Sequence, residues 1–295
     1  MVKKEVVLYA PAKINLALAI TGRRKDGFHE LQTIFQSVSL YDFVRVEVTN
    51  EEGITCVCGA LSGEKNLAFR AAKIFLEELG KKTKNTFNFG IKITIHKRIP
   101  LQAGLAGGSS DAATVFRALN IIYDRPFTKW ELLACAKKCG SDTAYCLFGG
   151  TYWGEGTGVI LSELPAVPQM NIIIVKPEEG METGEAYRLF DEFGKFSELN
   201  KEQWEEVLKE KSVRKLGSLL VNVLEPVSIQ IVPKIGKIKN ILLEEGCYGG
   251  LMSGSGSSVF GILPKENNGL KIMGRLKKEG FNNLWLVKSI GGNII

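Results

Sequence analysis

Alternating and β-branched apolar positions dominate the first third of the chain and predict a series of β-strands. The strands are expected at residues 6–9, 14–20, 31–40 and 44–48. Turn-forming residues lie between them at Gly22 and at Asp26-Gly27. The first third of the chain is therefore predicted to consist mainly of strands.

Apolar residues then recur at helical spacing, and this change of period predicts the first helix. Its apolar residues are Leu67, Ala71, Ile74, Phe75 and Leu79. Asn66 is expected to begin this helix and Gly80 to end it. The next apolar run, at residues 89–95, again alternates and predicts a strand.

Two further helices are predicted in the middle of the chain. The first covers residues 112–123, and the turn residues at 124–126 end it. Thr128 and Glu131 form a T-x-x-E signature, in which each residue satisfies a backbone N–H of the other, so a second helix is expected through Lys138.

The second half of the chain continues to alternate between strands and helices. Strands are expected at 151–153, 171–175 and 259–263, and helices at 198–211 and 216–224. The proline-containing segment at 164–168 predicts a boundary between domains at residues 1–165 and 166–295. The predicted fold class is α+β with two domains.

A glycine-rich stretch, PLQAGLAGGSSD at residues 100–111, joins the predicted strand at 89–95 to the helix at 112–123. Glycine lets backbone N–H groups approach an anion closely, and a helix N-terminus adds unpaired N–H donors. The stretch matches neither the G-x-x-x-x-G-K-[ST] nor the G-x-G-x-x-G phosphate loop. It is either a phosphate-binding loop or a flexible connector with a serine cap.

Polar residues in apolar surroundings are the other candidates for chemistry. Lys13 and Asn15 interrupt an apolar stretch, so Lys13 either extends to solvent from a strand end or points into a site. Asp142 precedes a largely apolar segment and is either a helix N-cap or a carboxylate that accepts a proton.

Phe28-His29 follows a turn and offers an aromatic face beside an imidazole. This pair would suit a planar ligand, whereas a lone histidine after a turn is also a common surface feature. A second Ser/Gly run at 253–258 either contacts phosphates or closes a helix-to-strand turn.

Composition narrows the classes of function. The net charge of +6 suits an anionic ligand, but the lysines form no long basic tract that would indicate nucleic-acid binding. The six cysteines lack C-x-x-C spacing and a nearby histidine, so reduced thiols in the cytoplasm are expected rather than zinc or disulfides. No signal peptide and no run of 18 apolar residues is found, so no membrane association is expected.

Three segments resemble, in order, the signature motifs of the GHMP kinase superfamily. They are PAKINL at 11–16, the glycine-rich stretch at 100–111 and LMSGSG at 251–256. KINL at 13–16, DGFHELQT at 26–33 and GSD at 140–142 are similar to one member, which acts on a cytidyl diphosphate alcohol. The resemblance covers essentially the whole chain.

The resemblance implies an ATP-dependent kinase of the non-mevalonate isoprenoid pathway, which phosphorylates the 2-hydroxyl of a methylerythritol unit. It implies an S5-domain-2-like N-terminal domain, a ferredoxin-like C-terminal domain and an active site in the cleft between them. Asp142 would act as the base and Lys13 as its charge partner. Mg²⁺ would accompany ATP, with no protein ligands identified.

The resemblance also assigns binding residues. Those expected around ATP are Asn66, Lys97, Pro100, Leu101, Gln102, Ala103, Gly104, Leu105, Ala106, Gly107, Gly108, Ser109 and Ser110. Those expected around the second substrate are Asn15, Phe28, His29 and Tyr187. The chain departs from the family pattern at Phe28, where tyrosine is usual, and at residues 143–145, where Thr-Ala-Tyr replaces Val-Pro-Phe.

Two rival functions remain open at this point. One is another kinase of the superfamily, acting on homoserine, mevalonate or a sugar. The other is a non-catalytic nucleotide- or RNA-binding module, which the basic charge and the glycine loops would also suit. The pair Phe28-His29 favours a cytidyl substrate, and the joint presence of Lys13 and Asp142 favours catalysis. A monomer and a homodimer are equally compatible with the sequence.

Overall fold

A computed structural model describes residues 4–84, 90–264 and 269–292. The strands are β1 (Glu5–Arg23), β2 (His29–Thr49), β3 (Gly53–Val57), β4 (Gly90–His96), β5 (Thr151–Gly156), β6 (Ile160–Glu163), β7 (Asn171–Lys176), β8 (Val221–Asn222), β9 (Gly249–Met252), β10 (Val259–Ile262) and β11 (Asn283–Lys288). The helices are α1 (Leu67–Thr83), α2 (Gly107–Ile122), α3 (Lys129–Cys139), α4 (Ser141–Phe148), α5 (Thr183–Phe193), α6 (Lys201–Glu210), α7 (Val213–Leu219), α8 (Glu225–Ile231), α9 (Lys234–Glu244) and α10 (Leu270–Lys278).

The first third of the chain forms two long strands, β1 and β2, which pair antiparallel from Glu5↔Glu47 to Arg23↔His29. The prediction of four separate strands was wrong. The polar residues that interrupt the apolar pattern lie inside β1 and β2 and do not end them. The pairing register shifts between Pro11 and Ala12, and it shifts again after Asn15. Such bulges let a strand accommodate an irregular segment without ending.

Among the described residues, the larger sheet has seven strands in the order β3-β4-β2-β1-β8, with β5 paired to β2 and β6 to β5. Helices α1 to α4 pack beside it, and Phe75 of α1 and Phe116 of α2 are fully buried in the core between them. The smaller sheet has the order β11-β7-β10-β9.

The two sheets share a hydrophobic core. Ile14 and Ile34 of the larger sheet belong to the same buried cluster as Ile172 and Phe260 of the smaller one. The short strand β8, which follows β7 in the chain, pairs parallel with β1. The predicted α+β class with two domains is confirmed, whereas a boundary between residues 165 and 166 stays a prediction.

Two helix ends differ from those predicted. Gly80 lies inside α1, where an interior glycine costs only about 1 kcal/mol and is tolerated. Helix α2 begins at Gly107 rather than at residue 112, because residues 107–111 are too polar to show helical periodicity. The predicted Asn66 cap is confirmed, since its side chain accepts the Ala68 N–H at 2.9 Å.

The capping box of Thr128 and Glu131 is also confirmed at the start of α3. The helix predicted at 216–224 was wrong in its second half, where the chain leaves α7 and forms β8. The Ser/Gly run at 253–258 joins two strands, β9 and β10, rather than a helix and a strand. Phe89, the predicted first residue of β4, lies outside the described residues.

Candidate active site

A cleft of about 900 Å³ lies where elements from both halves of the chain meet. Its walls come from β1, β2, α4, α5, the glycine loop and the turn at 254–256. The predicted site residues that line it are Lys13, Asn15, Phe28, His29, Lys97, residues 100–109, Asp142 and Tyr187. A cleft of this volume suits ligands of nucleotide size.

Lys13 is a buried cation in the wall of the cleft. It lies in β1 beside a register shift, is only 4% exposed, and its Nζ donates to Asn15 Oδ1 at 2.7 Å. The same Nζ lies 3.5 Å from Asp142 Oδ2. Because a buried ammonium is stabilised mainly by partners of this kind, Lys13 is held in one position next to the carboxylate.

Asp142 is the carboxylate that faces Lys13. It lies in the first turn of α4, and its side chain is 36% exposed toward the cleft. The alternative interpretation of Asp142 as a helix N-cap is wrong, since Gly140 occupies the cap position. The helix dipole favours negative charge in a first turn, so this position suits a carboxylate that remains accessible from the cleft.

The glycine loop leads into the N-terminus of α2. Ala106 adopts a left-handed conformation with φ 54° and turns the chain into the helix, which has no side-chain cap. The first N–H groups of a helix have no intrahelical partner. Together with the positive end of the helix dipole, they form an anion site on the cleft wall.

The second Ser/Gly run, at 253–258, packs against the glycine loop and donates hydrogen bonds to it. Ser253 Oγ donates to the Gly104 carbonyl at 3.0 Å, and the Ser258 N–H donates to the Ala103 carbonyl at 3.3 Å. A Cβ on Gly254 would lie 3.4 Å from both Lys13 Nζ and Asn15 Oδ1. The close approach of these backbones brings the loop and the Lys13–Asp142 pair into one site.

Lys97 lines the cleft just before the glycine loop, and its Nζ donates to two buried carboxylates, Asp42 and Asp111. Burial lowers the pKa of Lys97, but the two carboxylates outweigh that effect and raise it. Burial raises the pKa of Asp111 to about 7, although Lys97 opposes the change and Asp42 adds to it.

The far end of the cleft carries aromatic groups. His29 stacks on Tyr187 with ring centroids 4.9 Å apart, and its Nε2 lies 2.6 Å from Asp191 Oδ1. Phe28 is 65% exposed and lines the same end. These rings offer flat faces for a planar group, and the hydrogen bond to Asp191 fixes the orientation of the imidazole.

Two predicted residues lie outside the cleft wall. Asn66 caps α1, and Ser110 is fully buried, with its Oγ donating to the Pro11 carbonyl at 2.7 Å.

Sequence reasoning missed Asp191, which lies four residues after Tyr187 in α5 and therefore on the same helix face. It also missed Asp42 and Asp111, whose shared partner Lys97 is distant from Asp42 in sequence.

The described part of the chain holds no group of three or more His, Cys, Asp or Glu side chains that could bind a metal ion. All six cysteines are free and buried. With no such group of side chains among the described residues, the cleft fits Mg²⁺ only if phosphate and water oxygens supply most of the ligands of the ion. This is common where the ion accompanies a nucleotide. In the same described ranges, no helix has the length and apolar character needed to cross a bilayer.

Comparison with known proteins identifies relatives along the full chain. Residues 66–150 match the GHMP kinases N terminal domain, and residues 204–282 match the GHMP kinases C terminal domain. A 4-diphosphocytidyl-2-C-methyl-D-erythritol kinase of Desulfitobacterium hafniense (strain Y51) is 46% identical, over 100% of this chain and 99% of the relative. The enzyme of the same name from Bacillus velezensis is 36% identical over 96% of each chain.

Solved structures agree with these relatives. A crystal structure of 4-(cytidine 5'-diphospho)-2C-methyl-D-erythritol kinase superposes with a TM-score of 0.81 at 32% identity, covering 97% of this chain and 100% of that one. Homoserine kinase from Cytophaga hutchinsonii superposes with a TM-score of 0.75 at 20% identity, covering 99% and 96%, and shows the shared fold alone. The chain belongs to the GHMP kinases and, among them, to the family of 4-diphosphocytidyl-2-C-methyl-D-erythritol kinases.

Proposed function

We propose that this kinase transfers the γ-phosphoryl group of ATP to the 2-hydroxyl of 4-diphosphocytidyl-2-C-methyl-D-erythritol, giving the 2-phosphate and ADP. The observation that carries the proposal is the Lys13–Asp142 pair, 3.5 Å apart in the cleft that the glycine loop also lines. The substrate is inferred from the names of the full-length relatives. ATP is the phosphate donor of GHMP kinases.

Asp142 is proposed to accept the proton of the attacking hydroxyl. The hydroxyl oxygen forms a bond to the γ-phosphorus while the bond to the β–γ bridging oxygen breaks, and ADP leaves. Lys13 pairs with the Asp142 carboxylate before the transfer and stabilises negative charge on the phosphoryl oxygens during it. The N–H groups of the glycine loop and of α2 hold the phosphates in line with the hydroxyl.

The aromatic end of the cleft is proposed to bind the cytosine base. His29 offers a hydrogen-bonding edge that Asp191 orients, and Phe28 and Tyr187 offer stacking faces. Stacking tolerates the replacement of tyrosine by Phe28, because the ring is retained and only a hydroxyl is absent. Asn15 lies beside Lys13 and is proposed to contact the alcohol.

Mg²⁺ is proposed to accompany ATP in the cleft, where phosphate and water oxygens would supply most of its ligands. When bound, the ion would neutralise charge on the phosphates. Lys97 is proposed to lie beside the nucleotide, and Asn66 is proposed to lie near it, at the start of α1.

The free thiols of all six cysteines support a reducing location, and we propose the cytoplasm.

The experiment that tests this function is an ADP-release assay on the purified protein with a panel of alcohols. The panel contains the cytidyl diphosphate alcohol, its uridyl analogue, homoserine, mevalonate and galactose. We expect turnover of the cytidyl compound at least about 100-fold above the others. Homoserine, mevalonate and galactose leave the aromatic end of the cleft empty, and the uridyl analogue presents a different hydrogen-bonding edge to His29. Preferential turnover of homoserine or mevalonate would contradict the proposal, and so would RNA binding without ATP turnover.

A further inference from the structure

Lys97, Asp42 and Asp111 form a buried cluster that the proposed transfer step does not use. Asp42 is fully buried in β2, and its Oδ1 accepts the N–H groups of Arg98 at 2.5 Å and Ile99 at 2.8 Å. Its Oδ2 accepts a hydrogen bond from Lys97. Asp42 therefore has partners for both oxygens and anchors the chain just before the glycine loop.

Asp111 has fewer hydrogen-bond partners than Asp42. It is 2% exposed, Lys97 Nζ donates to its Oδ2 at 2.7 Å, and its Oδ1 has no hydrogen-bond partner. The thiols of Cys56, Cys58 and Cys146 lie near enough to feel its charge: burial raises the pKa of each thiol, and the Asp111 carboxylate adds to that rise. With one ammonium between two carboxylates, the cluster carries an excess negative charge unless Asp111 is protonated.

The cluster lies directly against the anion site. A Cβ on Gly107, the first residue of α2, would meet Lys97 Nζ at 3.1 Å, so the ammonium lies close to the helix N-terminus. Asp111 itself lies in the second turn of the same helix. A nucleotide bound at this N-terminus would add negative charge beside Lys97 and compete with Asp111 for the ammonium.

We propose that Asp111 is a proton-linked positioning residue, which takes up a proton when a nucleotide binds and thereby releases Lys97 toward the nucleotide. The proposal rests on the nucleotide site of the proposed function, and it adds that the affinity of this site for a nucleotide depends on pH. Because a carboxyl with a raised pKa is protonated near neutrality, nucleotide affinity is expected to rise as pH falls from 8 to 6.

Binding of a non-hydrolysable ATP analogue to the full-length protein, measured by calorimetry from pH 6 to pH 8, tests this inference. Asp111→Asn removes the titrating group but keeps a side chain of similar shape. Dividing the wild-type dissociation constant by that of the variant cancels the titration of the nucleotide itself. This ratio should rise about tenfold from pH 6 to pH 8, as one linked proton with a pKa near 7 requires.

Asp124→Asn, in the exposed turn that follows α2, is the matched control and should follow the wild type. Infrared difference spectra of the wild type give a measurement that needs no variant, since the band of a protonated carboxyl should grow when the analogue binds at pH 7. Nucleotide binding with a flat ratio, or without that band, would overturn this inference and leave the proposed reaction standing. A wild type that binds no nucleotide would overturn both.

Discussion

Lys13 shows how one polar residue in an apolar strand can indicate a site. The sequence left open whether its ammonium reaches solvent or a cleft, and the structure buries it against Asn15 and Asp142. The residue pattern alone did not show this contact, because Asp142 lies on a different element, 129 residues further along the chain. Only the resemblance to the kinase superfamily paired the two residues before the fold was known.

Replacing Lys13 by glutamine should lower kcat by about 100-fold, because a preorganised charge near the transferred group is worth roughly 3 kcal/mol in such sites. The KM for the alcohol should change by less than about threefold, since the aromatic end of the cleft, proposed to bind the cytosine, is untouched. Steady-state kinetics with the cytidyl alcohol measure both constants. Lys92→Gln, an exposed lysine of β4, is the control and should behave as the wild type.

The two Ser/Gly segments act as one unit although they lie far apart in sequence. Gly104 has a φ of 70°, and a Cβ there would lie only 1.9 Å from the Ser253 carbonyl oxygen. Glycine is therefore required at this position for two reasons, the left-handed backbone and the contact with the second segment. The contact places both segments on the wall of one cleft.

Gly104→Ala should lower the free energy of unfolding by about 2 kcal/mol and raise the KM for ATP, because the added methyl group forces the two segments apart. Urea unfolding and steady-state kinetics measure these effects. Gly274→Ala is the matched control, since Gly274 lies in α10 with nothing within 4 Å of an added Cβ. That variant should gain about 0.5 kcal/mol, and an equal loss in both variants would contradict the explanation.

Elements with strong local signals could be predicted from the sequence, and elements that depend on distant partners could not. The capping box of Thr128 and Glu131 is local, and it predicted the start of α3 correctly. The merging of four predicted strands into β1 and β2 depends on pairing along their whole length, which no short window shows. The start of α2 was missed because residues 107–111 are glycine, serine and aspartate, which show no apolar helical spacing.

The same distinction applies to the cleft. The glycine loop, Lys13, His29 and Asp142 were identifiable as an ordered set of motifs, and the structure brings all of them to one cavity. Asp42 was not identifiable, because an aspartate in a strand has no signal of its own before the fold places Lys97 beside it.

The two halves of the protein are joined more closely than two predicted domains suggest. One buried cluster includes residues of β1 and β2 together with residues of β7 and β10, and β8 pairs with β1. Neither sheet can lose its partner without exposing this shared apolar surface to water. The cleft lies at this junction, so its walls belong to a single packed unit.

The shared core predicts that the ligand-free protein unfolds in one cooperative transition. Differential scanning calorimetry should show a single peak whose calorimetric and van't Hoff enthalpies agree. A fragment of residues 1–165 should not fold independently, because it lacks β8 and the β7–β10 side of the core. Two resolved transitions would show that the halves are independent domains and would contradict this description.

The turnover of Asp142→Asn with ATP and the cytidyl diphosphate alcohol tests the proposed mechanism most directly. The substitution keeps the shape of the side chain and removes the carboxylate that faces Lys13. We expect kcat to fall by at least about 100-fold, the effect of losing a general base, while the KM for ATP stays within about threefold. Asp124→Asn should retain full activity. Near-normal turnover by correctly folded Asp142→Asn protein would remove Asp142 from the mechanism and contradict the proposed role of the pair.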